Sequence, residues 1–132
     1  MGSASLTVSF EVRDYECDLQ GIVNNAVYQH YLEHARHLFL KSKGLSFAAL
    51  SRQGINLVVV RAEIDYKAPL TSGEHFRVTS KLERLSPVRF VFVQAIQRTP
   101  DQKVILQANI VCAAMDRRGK PIISRSIDAL FR

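Results

Sequence analysis

The sequence predicts an α+β fold, an antiparallel sheet of five or six strands wrapped around one long central helix. Three features predict it. An alternating apolar and polar run opens the chain at 6–13, one long stretch of 3.6-residue periodicity follows at 25–43, and strand-like runs then succeed one another at 55–67, 74–85, 88–98 and 103–115.

The first run, LTVSFEVR, sets Leu6, Val8, Phe10 and Val12 on one face, as a half-buried strand does. After the loop YECDLQGIV, two asparagines, Asn24 and Asn25, stand directly before the helical pattern. Asparagine disfavours a helix interior but is among the best N-caps, because its side chain accepts a hydrogen bond from an otherwise unpaired backbone N–H. A helix therefore starts here. Tyr28, Leu32, Ala35 and Phe39 form its apolar stripe, widened by Val27, Tyr31 and Leu38, while Gln29, Glu33, Arg36 and His37 fall opposite. Leu40 lies on that polar side and implies that it is partly covered too. Gly44 supplies the stop after two lysines.

The stretch SFAALSRQG at 46–54 reads as a short second helix, capped by Ser46 and stopped by Gly54. Pro69 with Gly73, Ser86 with Pro87, and TPDQ at 99–102 separate the strands that follow. The run 103–115 is apolar on nearly both faces, as a central strand would be. The tail from Ile122 to Phe131 could add a short edge strand.

A length of 132 residues, 47% hydrophobic and 23% charged, suits one domain over 1–132 that buries its own core. Cys17 and Cys112 lie far apart, and residues 1–14 hold no apolar signal segment, so reduced thiols and a cytoplasmic location are expected. Apolar runs such as INLVVV at 55–60 fall well short of the roughly 20 residues that span a bilayer. A net charge of +6 attracts polyanions, among them phosphorylated cofactors. No ribonucleoprotein aromatic motif, zinc-finger spacing or long basic run is present, so neither nucleic acid nor membrane is the expected partner.

Asp18 is the first candidate for chemistry. A lone aspartate before a helix ordinarily bonds its own loop backbone. Here Gly21 permits close backbone approach or a positive φ, and the helix start that Asn24 and Asn25 mark offers free N–H groups to a developing negative charge. An acid and an oxyanion site within a few residues suit acyl transfer.

The pattern formed by Tyr15, Asp18, Gly21, Val23, Asn24 and Tyr28 resembles the signature of the hotdog-fold acyl-CoA thioesterases of the 4-hydroxybenzoyl-CoA thioesterase class. The segment AEIDYKAPLTSGEHFRV at 62–78 resembles that family's second block. The resemblance implies a hotdog fold and makes Asp18 the catalytic carboxylate, as nucleophile or as base for water. It gives the backbone N–H of Asn25 the task of polarising the thioester carbonyl. Gly21, Val23, Asn24 and Tyr28 become substrate-binding, with Arg84 and Arg89 touching the nucleotide; Arg117, Arg118 and Lys120 are further basic residues at turns. Many relatives carry an aromatic where this chain has Asn24 or Asn25, so its acyl-facing surface differs. The resemblance further implies a homodimer with sites at the interface, commonly doubled into a homotetramer. The expected substrate is acyl-CoA or acyl carried on acyl carrier protein, with no metal or redox cofactor.

Competing readings are weaker. HYLEH at 30–34 satisfies a zinc-peptidase pattern, and His30, His34 and His37 share one helix face, but a five-residue match arises often by chance, such peptidases are much larger, and a polar helix face is the preferred reading. Cys17 has no assignable base and reads as a packed, inert thiol. Thr71 and Ser72, after Pro69, are lesser candidates. A non-catalytic module that binds an acyl or nucleotide ligand is the alternative from another class, yet it would not need a carboxylate beside a helix start. Dehydratases of this fold use a histidine, which the loop before the helix lacks.

Overall fold

Helix α1 (Asn25–Ser42) begins where the paired asparagines predict: Asn24 takes an extended backbone, and its Oδ1 accepts the Ala26 N–H at 2.9 Å. The structure, a computed structural model, describes residues 5–131. Strand β1 (Ser5–Glu11) precedes α1; α2 (Phe47–Arg52), β2 (Asn56–Tyr66), β3 (His75–Arg84), β4 (Arg89–Thr99), β5 (Val104–Met115) and the single turn α3 (Arg125–Asp128) follow it. The five strands form one antiparallel sheet in the order β1-β3-β4-β5-β2.

The apolar stripe of α1 lies on one face of this sheet. Leu32, Ala35, Phe39 and Leu40 have essentially no exposed surface and meet Phe76, Phe90, Phe92, Ile96 and Leu106. Each such side chain contributes about 1.5–3 kcal/mol by leaving water. Phe39 meets Phe92 edge-on, with ring centroids 5.6 Å apart.

Three expectations need correction. The tail is no strand: Ser124 accepts the Ile127 N–H and starts α3, so the sheet has five strands, and only an isolated bridge joins Pro121 to Met115. Strand β5 is interior but not central, since β4 holds the middle position. Its central residues alternate, with Gln107 and Asn109 exposed, and only its two ends are buried on both faces.

The third correction concerns Arg36, which is only 7% exposed instead of lying on a polar face. Its Nη1 donates to Gln94 Oε1 at 3.0 Å, while Gln94 Nε2 donates to the Leu32 carbonyl at 3.0 Å and to Ser80 Oγ at 2.9 Å. Helix and sheet thus share one buried polar knot as well as an apolar contact.

Strand β2 is an edge. Val58, Val59 and Val60 are all exposed, Val59 by half. A bulge falls between Val59 and Arg61, and the extra residue resets the alternation, so that Val59 and Ala62 both sit opposite inward residues of β5, Cys112 and Ile110.

Truncation of Gln94 would take the partner from the Arg36 guanidinium and the Ser80 hydroxyl and the second, side-chain donor from the Leu32 carbonyl, which keeps its bond within the helix. Gln94→Ala is expected to destabilise the chain by roughly 3 kcal/mol, against roughly 1 kcal/mol for Ser80→Ala. A lower urea midpoint at unchanged slope would report it.

Candidate active site

The loop between β1 and α1 closes on itself as a small hairpin. Cys17 pairs with Val23, the Asp18 N–H donates to the Ile22 carbonyl at 2.9 Å, and the Gly21 N–H donates to the Asp18 carbonyl at 3.0 Å. Gly21 turns it with φ +81°, a conformation that favours glycine. Asp18 and Leu19 stand exposed at the tip.

The Asp18 Oδ1 accepts the Gln20 N–H at 2.8 Å, which fixes the rotamer and leaves Oδ2 facing solvent. Among the described residues no cation pairs with it. The ordinary loop-bonding role of an aspartate and an available carboxylate oxygen therefore coexist in one side chain.

A residue that sequence reasoning passed over holds this hairpin in place. Glu16 is a buried carboxylate whose Oε1 accepts both the Arg13 N–H at 2.8 Å and the Tyr31 hydroxyl at 2.7 Å. Its carbonyl also accepts the Asn24 N–H at 3.1 Å. One residue thereby ties the hairpin to the first turns of α1 from two directions. Burial and the Glu16 carboxylate push the Tyr31 hydroxyl well above its ordinary pKa, so it remains a donor. The signal available in the sequence was an acid three residues after Arg13, in capping-box spacing.

The Asn25 N–H, first in the helix, has no acceptor among the described residues. Beside it lies a cavity of about 310 Å³ walled by Ile22, Val23, Asn25, Tyr28, Tyr66 and Pro69. The hydroxyl of Tyr28 is engaged, since it accepts the Leu70 N–H at 2.9 Å, and its ring meets that of Tyr66 at 5.7 Å. Tyr28 thus presents a ring and not a free hydroxyl. The side chain of Asn24 is likewise spent on the cap.

A second groove of about 300 Å³ runs between α1 and β2, lined by Ala26, Gln29, His30, Glu33, Arg36, Val59 and Ala62, among others. Its helix residues follow those of the first cavity along α1, and Ala62 and Val59 lie progressively further from Tyr66 along β2, so the groove is the next opening along the same two elements.

Arg84 and Arg89 are not brought to this place by their own chain. In the register of the sheet, Tyr66 is level with Leu106, Ile96 and Val78, while Arg84 pairs with Phe90. At about 3.3 Å per residue, Arg84 lies about 20 Å further along β3. It is also occupied: Nη2 meets Asp128 Oδ1 at 2.5 Å, and the guanidinium stacks over Phe131 at 4.4 Å. Arg117, Arg118 and Lys120 follow β5 at that same far end.

The other candidates find ordinary partners. His37 stacks on Phe47 at 4.2 Å and His34 meets Phe10 edge-on, and among the described residues no three metal-ligating side chains converge. Desolvation, with Asp14, Asp18 and Glu16 nearby, pushes the Cys17 thiol up, away from a nucleophilic thiolate. Ser72 Oγ donates to Asp14, and the Thr71 N–H donates to Glu74 Oε1.

If Glu16 and Tyr31 act as one tie, their loss is not additive. Tyr31→Phe is expected to cost roughly 1 kcal/mol and Glu16→Ala roughly 3 kcal/mol, with a coupling near 1 kcal/mol in the double variant. Urea unfolding of all four proteins checks it.

Residues 12–129 match the thioesterase-like superfamily. Over 114 residues the chain is 40% identical to a chloroplastic acyl-acyl carrier protein thioesterase of Arabidopsis thaliana, covering 86% of this chain and 61% of that one. The chain therefore spans about three fifths of that plant relative. It is 31% identical over 119 residues to a long-chain acyl-CoA thioesterase of Escherichia coli, covering 90% of this chain and 89% of the relative. A 1,4-dihydroxy-2-naphthoyl-CoA thioesterase from Synechocystis superposes with a TM-score of 0.91 over 96% of this chain and 95% of its own, at 20% identity, a likeness of fold. With the five-stranded sheet curled on one long helix and the match extending over nearly all of its length, the chain belongs to the thioesterase-like superfamily and has the hotdog fold.

Proposed function

We propose that the chain hydrolyses an acyl thioester, of coenzyme A or of acyl carrier protein, at a site of the 4-hydroxybenzoyl-CoA thioesterase class built on Asp18 and Asn25. The observation that carries this reading is their placement on one hairpin and the helix that follows it: an exposed carboxylate before a helix whose first N–H has no acceptor among the described residues. The named activities of the bacterial and plant relatives support both carriers.

In the reaction, the thioester carbonyl oxygen accepts the Asn25 N–H, and the positive end of α1 stabilises the charge that develops there. Asp18 supplies the other half. Its free oxygen either attacks the carbonyl carbon, giving an anhydride that water opens, or takes a proton from the water that attacks. Either way the C–S bond breaks, the sulfur leaves as thiolate and is protonated, and a carboxylic acid is released. The chain and water supply every group this chemistry needs. Gly21 turns the hairpin, Asn24 fixes the helix start, Val23 and Tyr28 wall the carbonyl end, and the groove along α1 receives the acyl group.

The carrier's phosphates need cations, and the chain's own turn arginines are about 20 Å away. An antiparallel second copy along β2, centred on Arg61, resolves this. It would cover the exposed edge and set Asn56 of one copy against Tyr66 of the other, so that Arg84, Arg89, Arg117, Arg118 and Lys120 of each copy approach the other's hairpin. A homodimer, with a tetramer built from it, is the assembly this reading requires.

Two measurements test the reading. Asp18→Asn keeps the shape and the loop hydrogen bond but can neither attack well nor take a proton, so kcat on the best acyl-CoA is expected to fall at least about 10²-fold with KM changed much less. A near wild-type rate would return Asp18 to a turn residue. Separately, Val58→Lys with Val60→Lys is expected to turn a dimer into a folded monomer in sedimentation and to lower kcat/KM at least about tenfold; an active wild-type monomer would refute the shared site.

A further inference from the structure

Arg36 is a cation with nowhere to discharge. It is 93% buried by its 7% exposure, and among the described residues its guanidinium donates one hydrogen bond, to the neutral Gln94. No carboxylate lies within ion-pair distance of it among the described residues, and Glu33, one turn away, does not close on it. A guanidinium carries five N–H donors in a rigid fork. Gln94 cannot rotate to serve it better, because its amide is held by the Leu32 carbonyl and by Ser80. Desolvation lowers the Arg36 pKa from its ordinary value, the mark of a charge that the fold itself does not compensate.

The groove between α1 and β2 gives the remaining donors an outlet, because Arg36 is one of its lining residues, with Val59 opposite. Its Cα is eleven positions beyond Asn25, about 16 Å along the helix, and a helical side chain leans back toward the N-terminus. The guanidinium therefore lies about 10–15 Å from the carbonyl end, the reach of a medium-length acyl chain.

Resting on the hydrolase reading above, we propose that Arg36 recognises an acceptor oxygen at the distal end of the acyl group, so that this site prefers acyl thioesters ending in a carboxylate, and after them in a hydroxyl, over plain alkyl chains. A carboxylate satisfies both demands of the site: it accepts the fork through two oxygens and neutralises the buried charge. A hydroxyl meets only the first. An alkyl end meets neither and desolvates the guanidinium further.

The test compares decanoyl, ω-hydroxydecanoyl and decanedioyl thioesters, each on coenzyme A and on acyl carrier protein, with wild type, Arg36→Met and Arg36→Lys. Wild type is expected to favour decanedioyl over decanoyl by about tenfold or more in kcat/KM, mainly through KM, with the hydroxy chain between them. In Arg36→Met that ratio is expected to fall to near unity, and Arg36→Lys to restore part of it. A purely structural arginine would lower all three rates together and leave their ratio unmoved. Equal or better hydrolysis of decanoyl by wild type overturns the assignment whether or not a variant folds, as does a ratio that survives Arg36→Met. Absence of hydrolysis of every thioester would overturn the hydrolase reading itself, and this inference with it.

Discussion

One buried carboxylate governs the geometry of the candidate site. Through its side chain Glu16 holds the Tyr31 hydroxyl and the Arg13 backbone, and through its carbonyl it holds the capping residue of α1. The hairpin that displays Asp18 is too small to bury an apolar core of its own. It keeps its position because the residue two places earlier is anchored to the helix wall at one side, while at the other the Val23 N–H donates to the Leu70 carbonyl at 2.9 Å and the Val23 side chain enters the core, so hydrogen bonds and packing together set the distance between carboxylate and helix start. This is the arrangement expected of a group that must meet a small reacting centre, since positioning on rigid elements and satisfied polar contacts fixes geometry better than a loop alone.

The second determinant is the direction of the strands. Antiparallel order sends the β3–β4 turn and the end of β5 away from the helix start, which separates the positive charges from the carboxylate and the free N–H within one chain. The same order leaves β2 bare along its length, with three valines in succession exposed. A charge distribution that one copy cannot use and an edge that one copy cannot cover are thus products of a single topology. The two-fold pairing proposed above would answer both.

Much of this was legible in the sequence because it was local. The cap of Asn24, the stripe of Tyr28, Leu32, Ala35 and Phe39, and the alternation of β1 depend on neighbours within a turn or two, where residue type and spacing suffice. Arg36 was misread for the opposite reason. Its acceptor, Gln94, lies 58 positions later, and nothing near either residue marks the pairing. Glu16 was missed because its partner Tyr31 is read from the sequence as an apolar stripe residue, and its hydroxyl goes uncounted. In the tail, the β-branched Ile122 and Ile123 suggested a strand, but the cap at Ser124 prevailed. The motif around Asp18 pointed to the thioesterase-like superfamily; the structure added that one carboxylate oxygen of Asp18 is already engaged.

The bulge at the middle of β2 makes that strand two half-strands with opposite parity. Residues before it and after it can each turn a side chain toward α1 without constraining the other. The cavity beside Tyr66 is therefore walled by the later half-strand alone, whereas the groove that Arg36 lines takes Val59 from one half and Ala62 from the other. The bulge thus acts as a seam: one groove can be furnished from two half-strands whose inward positions are set independently, so a residue exchanged in either half alters the groove without putting the other half out of phase.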